Sequence, residues 1–290
     1  MDPGVVQIDS LRLDEDETAR QAARFYRDFD QRVADEAHRL RDLGATLIVG
    51  DIPPLAFAAA DRAGIRSVAV ANFTWDWIYG HYPQFERIAP GVVETIANGY
   101  AHADLSLRLP MHGGFQSMMA VTRDIPFIAR QSTRDPAETR RTLGLAAGRP
   151  IVLVSFGGYG VDLPYDRIAR SGRLTLVTPD QDAPSALKYE DLVAAADVVV
   201  SKPGYGIVSE CMANDTALLY TSRGRFAEYD VMVGEMPRVT RCRYIAQEDL
   251  LAGRWADAVE ALLAQPPPPE RAAIDGAAVA AAKILKLAAG

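Results

Sequence analysis

Apolar positions along the chain fall into short runs and helical stripes that alternate almost throughout. Val5–Ile8 reads as a short strand. Residues 17–43 carry apolar side chains at Ala22, Ala23, Phe25, Tyr26, Phe29, Val33, Ala37 and Leu40, a helical period closed by Gly44. Residues 46–49 (TLIV) then form a continuous apolar run of strand length. A helix over 54–63 closed by Gly64, a strand over 67–70, a helix over 90–103 and a strand over 104–107 follow. Strands apolar on both faces and separated by helices predict a parallel sheet covered on both sides.

Residues 110–135 show no period and hold Pro110, Gly113, Gly114 and Pro126, as a crossover between domains would. The alternation then resumes. Strands are expected at 150–155, 174–178, 197–201, 217–220 and 243–245, and helices at 189–196, 207–213, 226–234 and 255–264. Pro266–Pro269 cannot be helical and act as a stiff spacer before an alanine-rich helix over 270–287. The expected division is 1–122, 123–266 and a terminal segment 267–290 that crosses back to the first domain.

Composition narrows the function classes. With 49% hydrophobic and 24% charged residues over 290 positions, the chain is a folded one of one large or two medium domains. A net charge of −7 argues against a general nucleic-acid binder. No apolar run reaches the ~18 residues of a membrane span, and the acidic start has no signal-peptide h-region. Cys211 and Cys242 form no C-x-x-C pair, so two reduced thiols in a cytoplasmic protein are expected. His38, His81, His102 and His112 have no metal-ligand spacing, and no metal site is expected.

In an open parallel sheet, ligands bind where strands end and loops enter helices. The loop Ser201-Lys202-Pro203-Gly204-Tyr205-Gly206 is the most informative of these. Its glycines admit a close ligand, and the helix that follows aims free N–H groups and a positive dipole end at it, which suits a phosphate. Glu210, one turn into that helix, can accept two hydrogen bonds from a ribose diol; a tight turn and a solvated glutamate are the alternative. Gly157, Gly158 and Tyr159 follow another strand, without the spacing of a dinucleotide or P-loop motif. Arg223, Arg225 and Glu228 follow a third and suit a diphosphate and a sugar hydroxyl, or a surface ion pair. In the first half Asp51 follows a buried strand, as a base or as a helix cap. Asn72, Trp75 and Trp77 lie in an aromatic-rich loop that suits an acceptor platform or a core anchor.

The stretch 195–213, AADVVVSKPGYGIVSECMA, resembles the donor motif of the lipid-linked N-acetylglucosaminyltransferase of peptidoglycan synthesis, with Glu210 at the place of its ribose-binding glutamate. Together with the motifs at 51–54, 72–77, 202–206 and 223–229, the chain is similar to a glycosyltransferase-like family that includes the N-terminal region of plant L-arabinokinases. The resemblance implies an α/β GT-B fold: two Rossmann-like parallel-sheet domains facing a cleft. That family begins with a strand and a G-H-G-x-G-H type loop which this sequence does not contain, so the first domain is expected to be short at its N-terminus. The implied function is transfer of a sugar from a nucleotide-sugar donor, a UDP-sugar in the first instance, to an acceptor hydroxyl. It would be metal-independent and inverting, with no cofactor beyond the nucleotide sugar. The alternatives are a non-catalytic nucleotide-sugar binding module, a catalytically incomplete fragment, or an epimerase. A bacterial, cytoplasmic protein with room for self-association completes the expectation.

Overall fold

A computed structural model describes residues 3–145, 148–157, 160–178 and 186–289. Among them nine strands form two parallel sheets. The first half runs α1 (Glu15–Tyr26), α2 (Phe29–Asp42), β1 (Leu47–Gly50), α3 (Pro54–Ala63), β2 (Arg66–Phe73), α4 (Trp75–Gly80), α5 (Gln84–Ile88), α6 (Val92–Tyr100), β3 (Leu105–Gly113) and β4 (Thr122–Asp124). The second runs α7 (Pro136–Thr142), β5 (Ile151–Val154), α8 (Tyr165–Arg170), β6 (Thr175–Val177), α9 (Tyr189–Ala195), β7 (Val198–Ser201), α10 (Tyr205–Ala213), β8 (Ala217–Tyr220), α11 (Ala227–Glu235), β9 (Cys242–Tyr244), α12 (Gln247–Leu251), α13 (Ala256–Leu263) and α14 (Gly276–Ala289).

The sheet orders are β1-β2-β3-β4 and β6-β5-β7-β8-β9. In the second, β5 has the earlier connection on one side and the later one on the other. The strand order reverses between β5 and β7, and the helices that follow leave opposite faces, which opens a crevice at their carboxyl ends. Strands β5, β7 and β8 are buried at every position, as runs of Val, Ile and Leu require between two helical layers. Cys211 lies in that core and, like Cys242, is a free thiol.

Local chemistry explains most boundaries. Asp14 caps α1 by accepting from Glu17 N–H at 2.8 Å. Pro54 opens α3, and Gly64 closes it with φ +73°. The single helix expected over 17–43 is broken at Arg27–Asp28. Its two halves face different neighbours, α1 toward α5 and α6 and α2 toward α3, and a straight rod cannot present one stripe to both. The last helix begins at Gly276 rather than at residue 270, because residues 273–276 run extended beside Phe127 and Ile128.

Two further expectations change. Val5–Ile8 is not a strand, and β4 supplies the fourth strand of the first sheet instead. A division at 122/123 therefore passes through β4. The early residues form a strap over both halves, with one isolated bridge between Gln7 and Leu13. Leu11 is buried in the core of the second sheet, while Val5 and Leu13 pack on the core of the first. Tyr79 donates to the Gly4 carbonyl at 2.7 Å, and Ser10 Oγ donates to the Phe156 carbonyl at 2.8 Å.

Helix α14 closes the outer face of the first sheet. Ala280 is buried with Val68, Leu107, Leu109 and Ile125, with Val279, Ile284 and Leu287 beside them. Its entry is tight: a Cβ on Gly276 would collide with the Pro126 carbonyl oxygen and lie 2.7 Å from that of Phe127. Gly276→Ala is therefore expected to lift the start of α14, costing about 1–3 kcal/mol. A urea titration checks this, and an unchanged midpoint would contradict the tight entry.

Candidate functional site

The carboxyl ends of β5 and β7 open into a cavity of about 600 Å³. Ser155 to Gly157, Ser201 to Ile207, Glu210, Arg223 and Glu228 line it from the second half. Gln7, Asn72, Phe73, Arg130 and Tyr189 complete the wall. Gly157 takes φ +75°, which turns the chain sharply after β5. Gly204 is the N-cap of α10 in an extended conformation, and a Cβ on Gly206 would meet nothing within 4 Å. The first turn of α10 thus faces the cavity with N–H groups that have no intrahelical acceptor.

Two glutamates are the acidic groups of this wall. Glu210 is 5% exposed. Arg130 Nε donates to its Oε1 at 2.5 Å, and Arg130 Nη2 contacts the same oxygen. Burial pushes the Glu210 carboxyl above the ordinary range, while Arg130 opposes that shift. Glu228 is 4% exposed. Its Oε1 accepts from Asn72 Nδ2 at 2.8 Å and its Oε2 from Arg223 at 3.2 Å, and the Tyr205 backbone N–H also reaches it. Burial raises Glu228 and lowers Arg223. Desolvation thus outweighs mutual attraction on both partners. Lys202 Nζ donates to Gln7 Oε1 at 3.2 Å, and burial, together with the nearby Arg223 charge, lowers its pKa to about 8.

A second cavity of about 760 Å³ lies at the carboxyl edge of the first sheet and shares Asn72, Phe73, Tyr205 and Gly206 with the first. Val49, Ile52, Val70, Leu109, Trp75, Ile128, Ala277, Ala280, Ala281 and Ile284 make it mostly apolar. Asp51 is its one carboxylate, and partial burial raises the Asp51 pKa above the ordinary range. The turn that carries Asp51 is held hard. Ile52 has φ +51°, rare for a β-branched residue, and is buried with its carbonyl accepting from Tyr100 OH at 2.9 Å.

The residues singled out in the sequence distribute as follows. Gly157, Lys202, Gly204, Tyr205, Gly206, Glu210, Arg223 and Glu228 meet in the first cavity. Asp51 and Trp75 line the second, and Asn72 lies in the wall between. Trp77 lines neither and packs beneath Gly113 and Gly114. Arg225 also points away, its side chain 70% exposed and 3.8 Å from Glu15. Gly158 and Tyr159 lie outside the described residues. Arg130, Tyr189 and Ser155 had carried no signal. Arg130 sits in the aperiodic connector, and only the fold brings it to Glu210, 80 positions on.

No family model matches the chain. Over 243 residues it is 31% identical to an L-arabinokinase of Arabidopsis thaliana; the match takes in 78% of this chain but 23% of that protein. Among solved structures, the calicheamicin glycosyltransferase CalG4 aligns over 96% of this chain and 78% of its own, with TM-score 0.55 at 15% identity. LpCGTa, solved in complex with UDP, aligns over 91% and 76%, with TM-score 0.51 at 12% identity. The spinosyn forosaminyltransferase SpnP aligns over 89% and 80%, with TM-score 0.50 at 12% identity. Two parallel Rossmann-like sheets with their carboxyl ends facing a shared cleft, and a last helix returned to the first sheet, give this chain the fold of the GT-B glycosyltransferases.

Proposed function

We propose that the chain binds a nucleotide sugar in the first cavity and transfers the sugar to an acceptor hydroxyl held in the second. The observation that carries this reading is the junction of the two cavities at Asn72, Phe73, Tyr205 and Gly206. One side offers glycine turns, a helix N-terminus and cationic Lys202 and Arg223; the other offers an apolar chamber with one carboxylate. The first turn of α10 and Lys202 would stabilise the charge that develops on the departing nucleoside diphosphate, with no metal and no further cofactor. Glu210 would hold the ribose diol, and Glu228, with Asn72, the donor sugar. Asp51 would take the proton of the acceptor hydroxyl; its raised pKa makes it a better base than an ordinary aspartate. Attack from the first-sheet side, opposite the leaving group, would invert the anomeric centre. UDP is the donor nucleotide of choice because LpCGTa was solved with it.

A non-catalytic nucleotide-sugar module is the second reading, favoured by the match to under a quarter of a sugar kinase. It predicts binding without turnover. Calorimetry with UDP tests the shared part of both. Glu210→Ala is expected to weaken UDP by about tenfold or more, the value of hydrogen bonds to a charged group. Equal affinity for the variant and the unchanged protein would remove the ribose role of Glu210. Release of the nucleoside diphosphate from UDP-sugars, in the presence of a panel of alcohols and phenols, then separates enzyme from binding module.

A further inference from the structure

The connector between the two sheets does more than join them. After β4 the chain runs along α10 and is fastened at successive residues. Tyr205 OH accepts from Ile128 N–H at 3.1 Å. Gln131 Nε2 donates to the Ala213 carbonyl at 2.9 Å, and Ser132 N–H donates to Asn214 Oδ1 at 2.9 Å. Asn214 Nδ2 returns a bond to the Arg130 carbonyl at 3.0 Å. Ser132 Oγ donates to Asp191 on α9 at 2.6 Å. The backbone of Arg130 is thus held on both sides, and its side chain meets Glu210 at the cavity wall.

There the guanidinium lies 5.5 Å over the Tyr189 ring while it bonds Glu210 Oε1. Tyr189 is itself fixed by donating to Ser155 Oγ at 2.7 Å. The groups around Glu210 are Arg130 from the connector, Tyr189 and Glu190 from α9, and Cys211 beside it on α10. Glu190 approaches Arg130 Nη1 at 4.0 Å. Among these Arg130 is the cation, so it alone of them offsets the cost of keeping a carboxylate at a 5% exposed position. Both of its contacts are to one oxygen of the carboxylate.

We propose that Arg130 is a positioning residue of this cavity: it fixes the Glu210 carboxylate, ionised and turned toward the space where a ribose diol would sit, so that the inter-sheet connector is part of the donor site. This rests on the ribose reading of Glu210. Removing Arg130 leaves a buried carboxylate that protonates more readily and then accepts poorly from a diol. The effect on UDP is transmitted through Glu210, with no contact between Arg130 and the nucleotide required.

The test combines UDP calorimetry at pH 5.5, 6.5 and 7.5 with a carbon-13 titration of the Glu210 carboxyl. The proteins are the unchanged chain, Arg130→Ala, Arg130→Lys, Glu210→Ala and the Arg130→Ala/Glu210→Ala double variant. The Arg130 side chain is 61% exposed, so its variants should fold. Arg130→Ala is expected to weaken UDP by about tenfold at the lowest pH, with the gap to the unchanged protein narrowing as rising pH ionises Glu210. Arg130→Lys should fall between. Adding Arg130→Ala to Glu210→Ala should cost nothing more. The Glu210 titration should move up by about one unit or more in Arg130→Ala. An equal loss in the Glu210→Ala background would make Arg130 a direct contact and overturn the proposal, as would an unmoved Glu210 titration. If Glu210→Ala binds UDP as the unchanged chain does, the ribose reading fails. The carboxyl titration still decides whether Arg130 governs Glu210.

Discussion

Asp51→Asn is expected to slow the proposed sugar transfer by about 10²–10⁴-fold, the usual worth of a positioned general base, while UDP affinity stays unchanged. The two effects separate because Asp51 lines the apolar cavity and is absent from the wall of the first cavity. The substitution keeps shape and size on a turn already fixed by Ile52 and Tyr100. Its effect on stability has a definite sign. Burial holds the Asp51 pKa above its unfolded value. The folded state therefore binds the proton more tightly, and the contribution of this group to stability falls as pH rises through the window between the two values. Above that window the carboxylate is ionised and the penalty is present, so asparagine should there melt no lower than aspartate. Nucleoside diphosphate release checks the rate, and a melting curve checks the sign. A variant with full transfer activity would take the base role from Asp51.

Glu228→Ala is expected to cost about 3–5 kcal/mol, the loss typical of breaking a buried ion pair from one side. The variant strands Arg223, whose pKa burial already lowers, and it also removes the acceptor of Asn72 Nδ2. Asn72→Ala, which leaves the ion pair intact, should cost less, about 1.5–3 kcal/mol for a hydrogen bond to a charged group. Urea denaturation measures both, and a loss below about 1 kcal/mol for Glu228→Ala would equate the pair with an exposed one. Because desolvation dominates on both partners, this pair is a poor device for stability alone. Glu228 lines the first cavity beside Asn72, a residue the two cavities share, and this fits the proposed contact with the donor sugar. Phe73 and Phe226 pack edge to face beside it, with ring centroids 6.0 Å apart.

Much of the second sheet could be read from the sequence because its strands obey a simple rule: buried on both faces, they are unbroken apolar runs such as 151–154, 198–201 and 217–220. The glycine loops at their ends were legible for the same reason, since a strand end in a parallel sheet has one destination. The early helices were legible as a stripe, but not as two pieces, because the break at Asp28 reflects which neighbours each half meets. Val5–Ile8 has the composition of a strand yet makes no ladder: Val5 packs on the first core while Ile8 is exposed. Arg130 was hidden by distance along the chain, and so was the partner of Asn72, although Asn72 itself stood out as part of the aromatic-rich loop. Each meets its glutamate only after both sheets exist, 80 and 156 positions apart. Trp77 shows the reverse case, an aromatic in a loop of functional appearance that spends its ring against Gly113 and Gly114.

The strap over residues 4–13 imposes an order on biosynthesis. Leu11 is synthesised well before the residues it packs among, Val152, Val198, Leu219, Trp255 and Leu262. It has no core to enter until those later segments have been made. Burying one leucine is worth about 1.5–3 kcal/mol, so the last step of folding is worth a sizeable part of a domain's net stability. A nascent chain arrested before Trp255 should be protease-sensitive around Leu11, where the folded protein is protected.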